Sequence, residues 1–97
     1  MTTRQQKLAA ILRRLPDNDC ATQRARLMAA MQETGHVTTH EAMRLLDVYD
    51  PRPRIHELRH KHGASISTAT RIKQTESGAL HRIGVYFLTN GKGAGTC

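Results

Sequence analysis

The segment DPRPRIHELRHKHG, residues 50–63, constrains the fold more than any other part of the sequence, because its pattern predicts a short helix with clear ends. Asp50 is a good N-cap, since its carboxylate can accept hydrogen bonds from the free N–H groups of the first turn. Pro51 and Pro53 fall at the first and third helical positions, where a missing N–H removes no intrahelical hydrogen bond. Gly63 is expected to end the helix.

This predicted helix has one narrow apolar edge and is otherwise polar. Only about a quarter of its circumference is fit to be buried. That sector holds Pro51, Ile55, Leu58 and His62. The other positions are Pro53, His56, Glu57 and His60 opposite the edge, with Arg52 and Arg59 on one flank and Arg54 and Lys61 on the other. An outward-facing cationic helix suits a negatively charged groove, and the major groove of B-DNA admits one α-helix.

The positive charge is concentrated in one third of the chain. The formal net charge is +7. Residues 52–82 hold seven Arg or Lys against two Glu, whereas residues 1–51 hold seven against six acidic residues. Lys and Arg usually form a solvated surface, but a phosphate-binding face requires this asymmetry and a merely soluble protein does not. We therefore expect a polyanionic partner.

Length and composition favour one small domain with an aliphatic core. The chain has 97 residues, with two Tyr, one Phe and no Trp. No apolar run approaches the ~20 residues of a membrane span, and no signal peptide opens the chain. Cys20 and Cys97 have neither C-x-x-C nor Cys/His ligand spacing. We expect two free thiols in a reducing cytoplasm, with no metal and no cofactor.

An amphipathic helix is predicted over residues 4–15, followed by a polar linker over residues 16–19. The apolar stripe of this helix comprises Leu8, Ile11, Leu12 and Leu15. Its spacing is compatible with packing on the rest of the domain. It is equally compatible with a homodimer formed through Leu8, Ile11 and Leu15, and the sequence leaves both alternatives open.

Two more helices are predicted before residue 50. The first runs from Thr22 as N-cap to Thr34, with Gly35 as a left-handed stop. The second covers residues 39–47 and begins with a capping box between Thr38 and Glu41. Two short helices joined by a tight turn, the second of them basic, form a helix-turn-helix arrangement.

After Gly63 the pattern alternates residue by residue, which predicts a β-hairpin. One strand begins at Ile66 and reaches Lys73, and the other includes Ile83, Val85 and Phe87 on one face. The Gly-rich residues 90–97 are expected to form a disordered tail. The GKGAG run within that tail follows the last strand and opens no helix, so we do not expect a phosphate loop.

Three helices followed by a β-hairpin is the order of elements in a winged helix-turn-helix domain. Residues 22–88 resemble the small winged helix-turn-helix domains common in bacteriophages and prophages, with the pattern R-I-x-x-L-R…G-x-x-I before the hairpin. The matching positions are Arg54, Ile55, Leu58, Arg59, Gly63 and Ile66, with Val85, Tyr86, Phe87 and Leu88 closing the hairpin. The predicted fold class is α+β, mainly α: a three-helix core with a β-hairpin wing and an extra N-terminal helix. The extra helix departs from the family pattern, and so does the start of the third core helix at Pro51 and Pro53.

The resemblance implies binding of double-stranded DNA, with helix 51–62 in the major groove and the 66–88 wing on the backbone or minor groove. The candidate base-reading residues are Arg52, His56 and His60, and the candidate phosphate contacts are Arg54, Arg59, Lys61, Arg71, Lys73 and Arg82. Arg54, Arg59 and the wing each have a structural alternative. The guanidinium groups of Arg54 and Arg59 would pair with Glu57 or Asp47, and the wing would be an ordinary solvated hairpin.

Residues 56–60 also match H-E-x-x-H, the pattern in which two His bind zinc and the Glu is the general base of a metalloprotease. Several features oppose that function. A third ligand would come from the hairpin tip, at Glu76 or His81, and Arg59 would place a positive charge beside the dication. The chain is therefore predicted not to be an enzyme.

We interpret residues 1–20 as an amphipathic helix with its linker, 21–89 as the winged helix-turn-helix domain and 90–97 as the tail. The predicted function is that of a phage or prophage transcriptional regulator in the cytoplasm of a bacterial host. One alternative is an architectural or recombination-accessory protein of the excisionase kind, which would bend DNA with weak sequence preference. Another is a winged-helix module that binds acidic proteins.

Overall fold

The computed structural model describes residues 2–89, so Cys97 and the predicted disordered tail lie outside the described residues. Within that range there are four helices: α1 (Arg4–Arg14), α2 (Cys20–Thr34), α3 (Thr39–Leu45) and α4 (Pro51–His60). Three strands, β1 (Val37–Thr38), β2 (Ile66–Gln74) and β3 (Leu80–Leu88), form one antiparallel sheet in the order β1-β3-β2. The predicted class is confirmed, with the addition of β1.

Helix α4 begins as predicted and ends earlier. Asp50 is the N-cap, and its carboxylate accepts a hydrogen bond from the Arg52 N–H at 3.2 Å. The last residue is His60, so the prediction that His62 extends the apolar edge is wrong, and His62 is exposed. The chain turns at Gly63, where φ is +70° and glycine is favoured.

The N-terminus of α2 differs from the prediction. Its N-cap is Asp19 rather than Thr22, and the Asp19 carboxylate accepts from the Thr22 N–H at 3.3 Å. Aspartate is at least as good an N-cap as threonine, which places Thr22 inside the first turn. The connection between α1 and α2 is residues 15–19, and Cys20 opens the helix as an exposed free thiol. At the other end, Gly35 is the left-handed stop that was predicted, with φ at +91°.

Helix α1 packs on its own domain. Leu8 and Ile11 are fully buried and belong to the same core as Leu27 and Met31 of α2. The alternative of a homodimer formed through Leu8, Ile11 and Leu15 is therefore not supported, because the first two side chains have no surface left for a second copy.

Strand β3 is the central strand of the sheet and is covered on both faces near its end. Val37 pairs with Tyr86 and Thr38 pairs with Val85. Val85 and Tyr86 are both buried although they point to opposite faces. The sequence does not predict β1, because two residues are too few to show a strand period.

The carboxylate of Glu41 joins α1 to the start of α3. It accepts two hydrogen bonds from the Arg4 guanidinium, at 2.7 and 2.8 Å, and one from the Thr38 N–H at 3.0 Å. The predicted capping box is thus confirmed. Burial would raise the pKa of Glu41, but the hydrogen bonds from Arg4 and Thr38 outweigh it and lower the pKa to about 2.

We expect acid to destabilise the protein partly through Glu41. A lowered folded-state pKa contributes stability at neutral pH, and that contribution is lost as the pH falls through 4.5 towards 2. Because the pair is partly exposed, the loss should be on the order of 2 kcal/mol. Urea unfolding of the wild type and of Glu41→Gln at pH 7, 5 and 3 measures this loss of stability. The variant is a suitable reference because glutamine retains a capping side chain. Equal losses in the two proteins would contradict this assignment.

Candidate nucleic-acid interface

Helix α4 is buried along one edge and exposed over most of its remaining surface. Pro51, Ile55 and Leu58 form the buried edge. The exposed side chains of the helix and its C-cap are Arg52, Pro53, His56, His60 and Lys61. The narrow apolar sector expected from the sequence therefore holds the helix in the domain and leaves a cationic face in solvent.

Arg52 lies at the N-terminal end of this face and is 78% exposed. Its Nε donates to Asp50 Oδ1 at 3.0 Å, and its Nη2 donates to Asp50 Oδ2 at 3.1 Å. The hydrogen bonds from Arg52 lower the pKa of Asp50. A guanidinium has five N–H donors, so this arrangement leaves both Nη1 hydrogens and one Nη2 hydrogen for a ligand. Asp50 thus orients the end of Arg52 outward.

We expect Asp50→Asn to change affinity and discrimination in opposite directions. Asparagine is also a good N-cap, so α4 should keep its start and the protein its stability. Loss of the carboxylate removes a negative charge from the basic face, which should raise affinity for mixed-sequence duplex DNA. Arg52 would be held less firmly, which should reduce discrimination between sequences. Anisotropy titrations of preferred and mixed duplexes measure the affinity and the discrimination. If neither quantity changes in Asp50→Asn, the proposed orientation of Arg52 is contradicted.

Arg54 and Glu57 are engaged inside the protein. Arg24 Nη1 donates to Glu57 Oε1 at 2.8 Å, and Arg54 Nη2 donates to Glu57 Oε2 at 3.2 Å. These hydrogen bonds, the one from Arg24 first, lower the pKa of Glu57. Because Arg54 is only 17% exposed and Arg24 belongs to α2, the cluster fastens α4 to α2. This is the structural alternative considered for Arg54.

The H-E-x-x-H residues do not form the arrangement that a zinc protease needs. The rings of His56 and His60 are adjacent, with centroids 4.3 Å apart. Glu57 is bound by two arginines and is not presented to a water beside those rings. In the described part of the chain, no cluster of three or more His, Cys, Asp or Glu side chains is placed to bind a metal ion.

Arg59 connects α4 to the wing. Its Nε donates to the carbonyl oxygen of Ile66 at 2.9 Å, and its Nη2 donates to Thr68 Oγ1 at 2.6 Å. The structural partners are thus on β2, rather than Glu57 or Asp47 as considered from the sequence. Arg59 fixes the position of the hairpin relative to the helix.

The outer part of the wing is exposed on both faces, from residue 68 to residue 82. Paired residues of antiparallel strands share a face, and successive residues alternate. Ile72 pairs with Arg82, and Thr68 pairs with Tyr86, so Arg82 lies on the face that Arg59 contacts. Arg71 and Lys73 lie on the other face. The three wing cations chosen from the sequence are therefore divided between two surfaces.

Tyr49 is a candidate contact that the sequence analysis missed. It is 85% exposed in the turn before Asp50. Together with Arg52 and Tyr86, it lines a cleft of about 470 Å³ between α4 and the base of the wing. A phenol hydroxyl can donate to a phosphate oxygen. The signal in the sequence was a large aromatic residue in an otherwise polar turn.

The chain matches a known family of protein domains. The family model described as "Winged helix-turn-helix domain" matches residues 22–91, which is more than half of the chain. No curated protein and no solved structure matches the chain. Across residues 2–89, none of the helices has the length and apolarity needed to cross a membrane.

Proposed function

The chain belongs to the winged helix-turn-helix family, whose domains are typically DNA-binding modules without enzymatic activity, and on that premise we propose that it is a phage or prophage transcriptional regulator. It would occupy an operator in the bacterial cytoplasm and block or recruit polymerase. The exposed cationic face of α4, with Arg52 oriented at its N-terminal end, is the observation that carries the proposal.

The candidate residues have separate tasks in this proposal. Arg52 reads a base edge from the N-terminal end of α4, and His56 and His60 extend that surface along the helix. The phosphate contacts are Lys61, Arg71, Lys73 and Arg82, which position the protein on the duplex. Arg54 and Arg59 do not contact DNA directly in this proposal. The contacts of Arg54 hold α4 against α2, and those of Arg59 hold the wing against α4. Residues 21–89 form the binding domain, and residues 1–20 brace it.

The test is the salt dependence of binding to a mixed-sequence duplex. A phosphate-contacting protein loses affinity linearly in log salt, with a slope of about −0.9 per contact. We expect a steep slope for the wild type and a preferred sequence upon selection from random duplexes. Weak binding without salt dependence would contradict the proposal, and the basic face would then be assigned to an acidic protein partner.

One observation favours the architectural alternative. Ile72 and Leu80 are 58% and 70% exposed. They are diagonal neighbours on the Arg82 face of the wing, because Leu80 pairs with Gln74. Apolar side chains among cations can enter the minor groove, unstack a base step and bend the duplex. A bending assay distinguishes the functions: Ile72→Ala with Leu80→Ala would abolish strong bending by an architectural protein and leave an operator-reading regulator unaffected.

A further inference from the structure

The wing forms a cleft with α3. The cleft has a volume of about 460 Å³ and lies between the paired strands of the wing and one face of α3. Its basic lining residues are His40 and Arg44 on α3, and Lys73, His81 and Arg82 on the wing, of which Arg82 belongs to the face that Arg59 contacts. A smaller adjoining space of about 350 Å³ shares three of these residues and reaches Gln5 of α1. We call the combined surface the α3–wing cleft.

The side chains of this cleft converge from two elements. His40 and Arg44 are four residues apart on α3, so they lie on the same helical face. Lys73 and His81 are directly paired across the hairpin and share a face of the wing. Within residues 2–89, Arg44, Lys73 and His81 take part in no ion pair or side-chain hydrogen bond. The two surfaces thus present unneutralised donors to each other.

The acidic residues of the cleft are fewer than the basic ones. Glu76 lines it near the tip of the wing. Glu41 borders the smaller space, but its two oxygens accept hydrogen bonds from Arg4. Like charges held on facing surfaces repel, and a cleft walled by protein strengthens their field. An anion between α3 and the wing would relieve that repulsion.

We propose that the α3–wing cleft binds a phosphodiester segment of the DNA backbone, separate from the segment contacted by α4. The inference rests on the proposed function. The minor groove of B-DNA is about 6 Å wide and is bounded by two backbones, so a hairpin that enters it meets a backbone on each face. Arg82 and α4 contact one of these backbones. Arg44 and Lys73, with His40 and His81, bind the other.

The experiment compares the full-length wild type with Arg44→Gln, Lys73→Gln and the double variant on mixed-sequence duplex DNA. Both side chains are exposed, so folding should be unaffected, and circular dichroism checks this. We expect each change to weaken binding uniformly across sequences and to reduce the salt slope by about one. On a selected duplex, hydroxyl-radical footprinting should show one protected backbone segment that disappears only in these variants.

Arg13→Gln is the matched control. It makes the same change in charge at an exposed position of α1, two residues from the buried Ile11 and hence on the opposite side of the helix. If Arg44→Gln and Lys73→Gln behave like Arg13→Gln while Arg52→Ala still weakens binding, the cleft has no role, the phosphate contact proposed for Lys73 is withdrawn, and DNA binding through α4 stands. If the wild type shows no salt-dependent duplex binding, the proposed function is overturned and this inference with it.

Discussion

Arg52→Ala is expected to weaken binding to the preferred DNA sequence by about 5- to 150-fold, the range that one bidentate arginine–guanine contact provides. Arg52 is exposed at the end of α4 that usually meets base edges. The Asp50 carboxylate accepts hydrogen bonds from Arg52 Nε and from one N–H of Nη2. One N–H of Nη1 and the other N–H of Nη2 therefore remain free as a pair of donors at the end of the side chain. That pair matches guanine O6 and N7. Affinity for mixed-sequence DNA should fall far less, because nonspecific binding depends on the phosphate contacts.

Lys61→Ala provides the contrasting variant for the Arg52 experiment. Lys61 is exposed at the C-cap of α4, and as a phosphate contact it should contribute equally to every sequence. Its loss should lower affinity for preferred and mixed duplexes by the same factor and reduce the salt slope by about one. Competition titrations measure the affinity of each variant relative to the wild type, once for the preferred duplex and once for the mixed duplex. If Arg52→Ala gives the Lys61→Ala pattern, Arg52 contacts phosphate and the base reader lies elsewhere on α4.

The parts of the fold that follow from local chemistry could be predicted from the sequence. Asp50 followed by Pro51 specifies the start of α4, and the spacing of Thr38 and Glu41 specifies the start of α3. These signals involve neighbours along the chain, whose geometry the helix itself fixes. The end of α4 was less certain, since no strong stop signal precedes Gly63. Strand β1 was missed because its pairing partner is almost fifty residues away, at Val85 and Tyr86.

The same distinction applies to the candidate site. The exposure of Arg52, His56 and Lys61 follows from the helical period alone. The engagement of Arg59 by β2 does not, because the position of the Ile66 carbonyl depends on how the wing folds back towards α4. The α3–wing cleft requires the strand register and the placement of α3 together, and no periodic pattern in one segment encodes either.

Arg26 is the largest departure from what the sequence suggests, since an arginine in a helix is ordinarily solvated. It is fully buried. Its Nη1 donates to the carbonyl oxygens of Leu15 at 2.7 Å and Asp17 at 2.5 Å, and its Nη2 donates to Asn18 Oδ1 at 3.3 Å. The charge is thus compensated by oxygens from the connection between α1 and α2, a feature that only the folded backbone provides.

Arg26→Ala is therefore expected to lower the free energy of unfolding by about 3–5 kcal/mol, through hydrogen bonds from a charged donor and the cavity left by the side chain. This is a large fraction of the 5–15 kcal/mol or so typical of a domain. Urea unfolding followed by circular dichroism measures it. Arg13→Ala, the same substitution at an exposed position, should change stability by less than about 0.5 kcal/mol.

Arg26→Met separates the two contributions, because methionine fills much of the space of the arginine stem but donates no hydrogen bond. If the carbonyl contacts stabilise the α1–α2 connection, Arg26→Met should remain about 2 kcal/mol or more below the wild type. A variant as stable as the wild type would show that packing alone matters at this position, since buried charges can be replaced by apolar groups without loss. In either case the hydrogen-bond partners of Arg26 lie in the α1–α2 connection and not on α4, so any folded fraction should bind DNA as the wild type does.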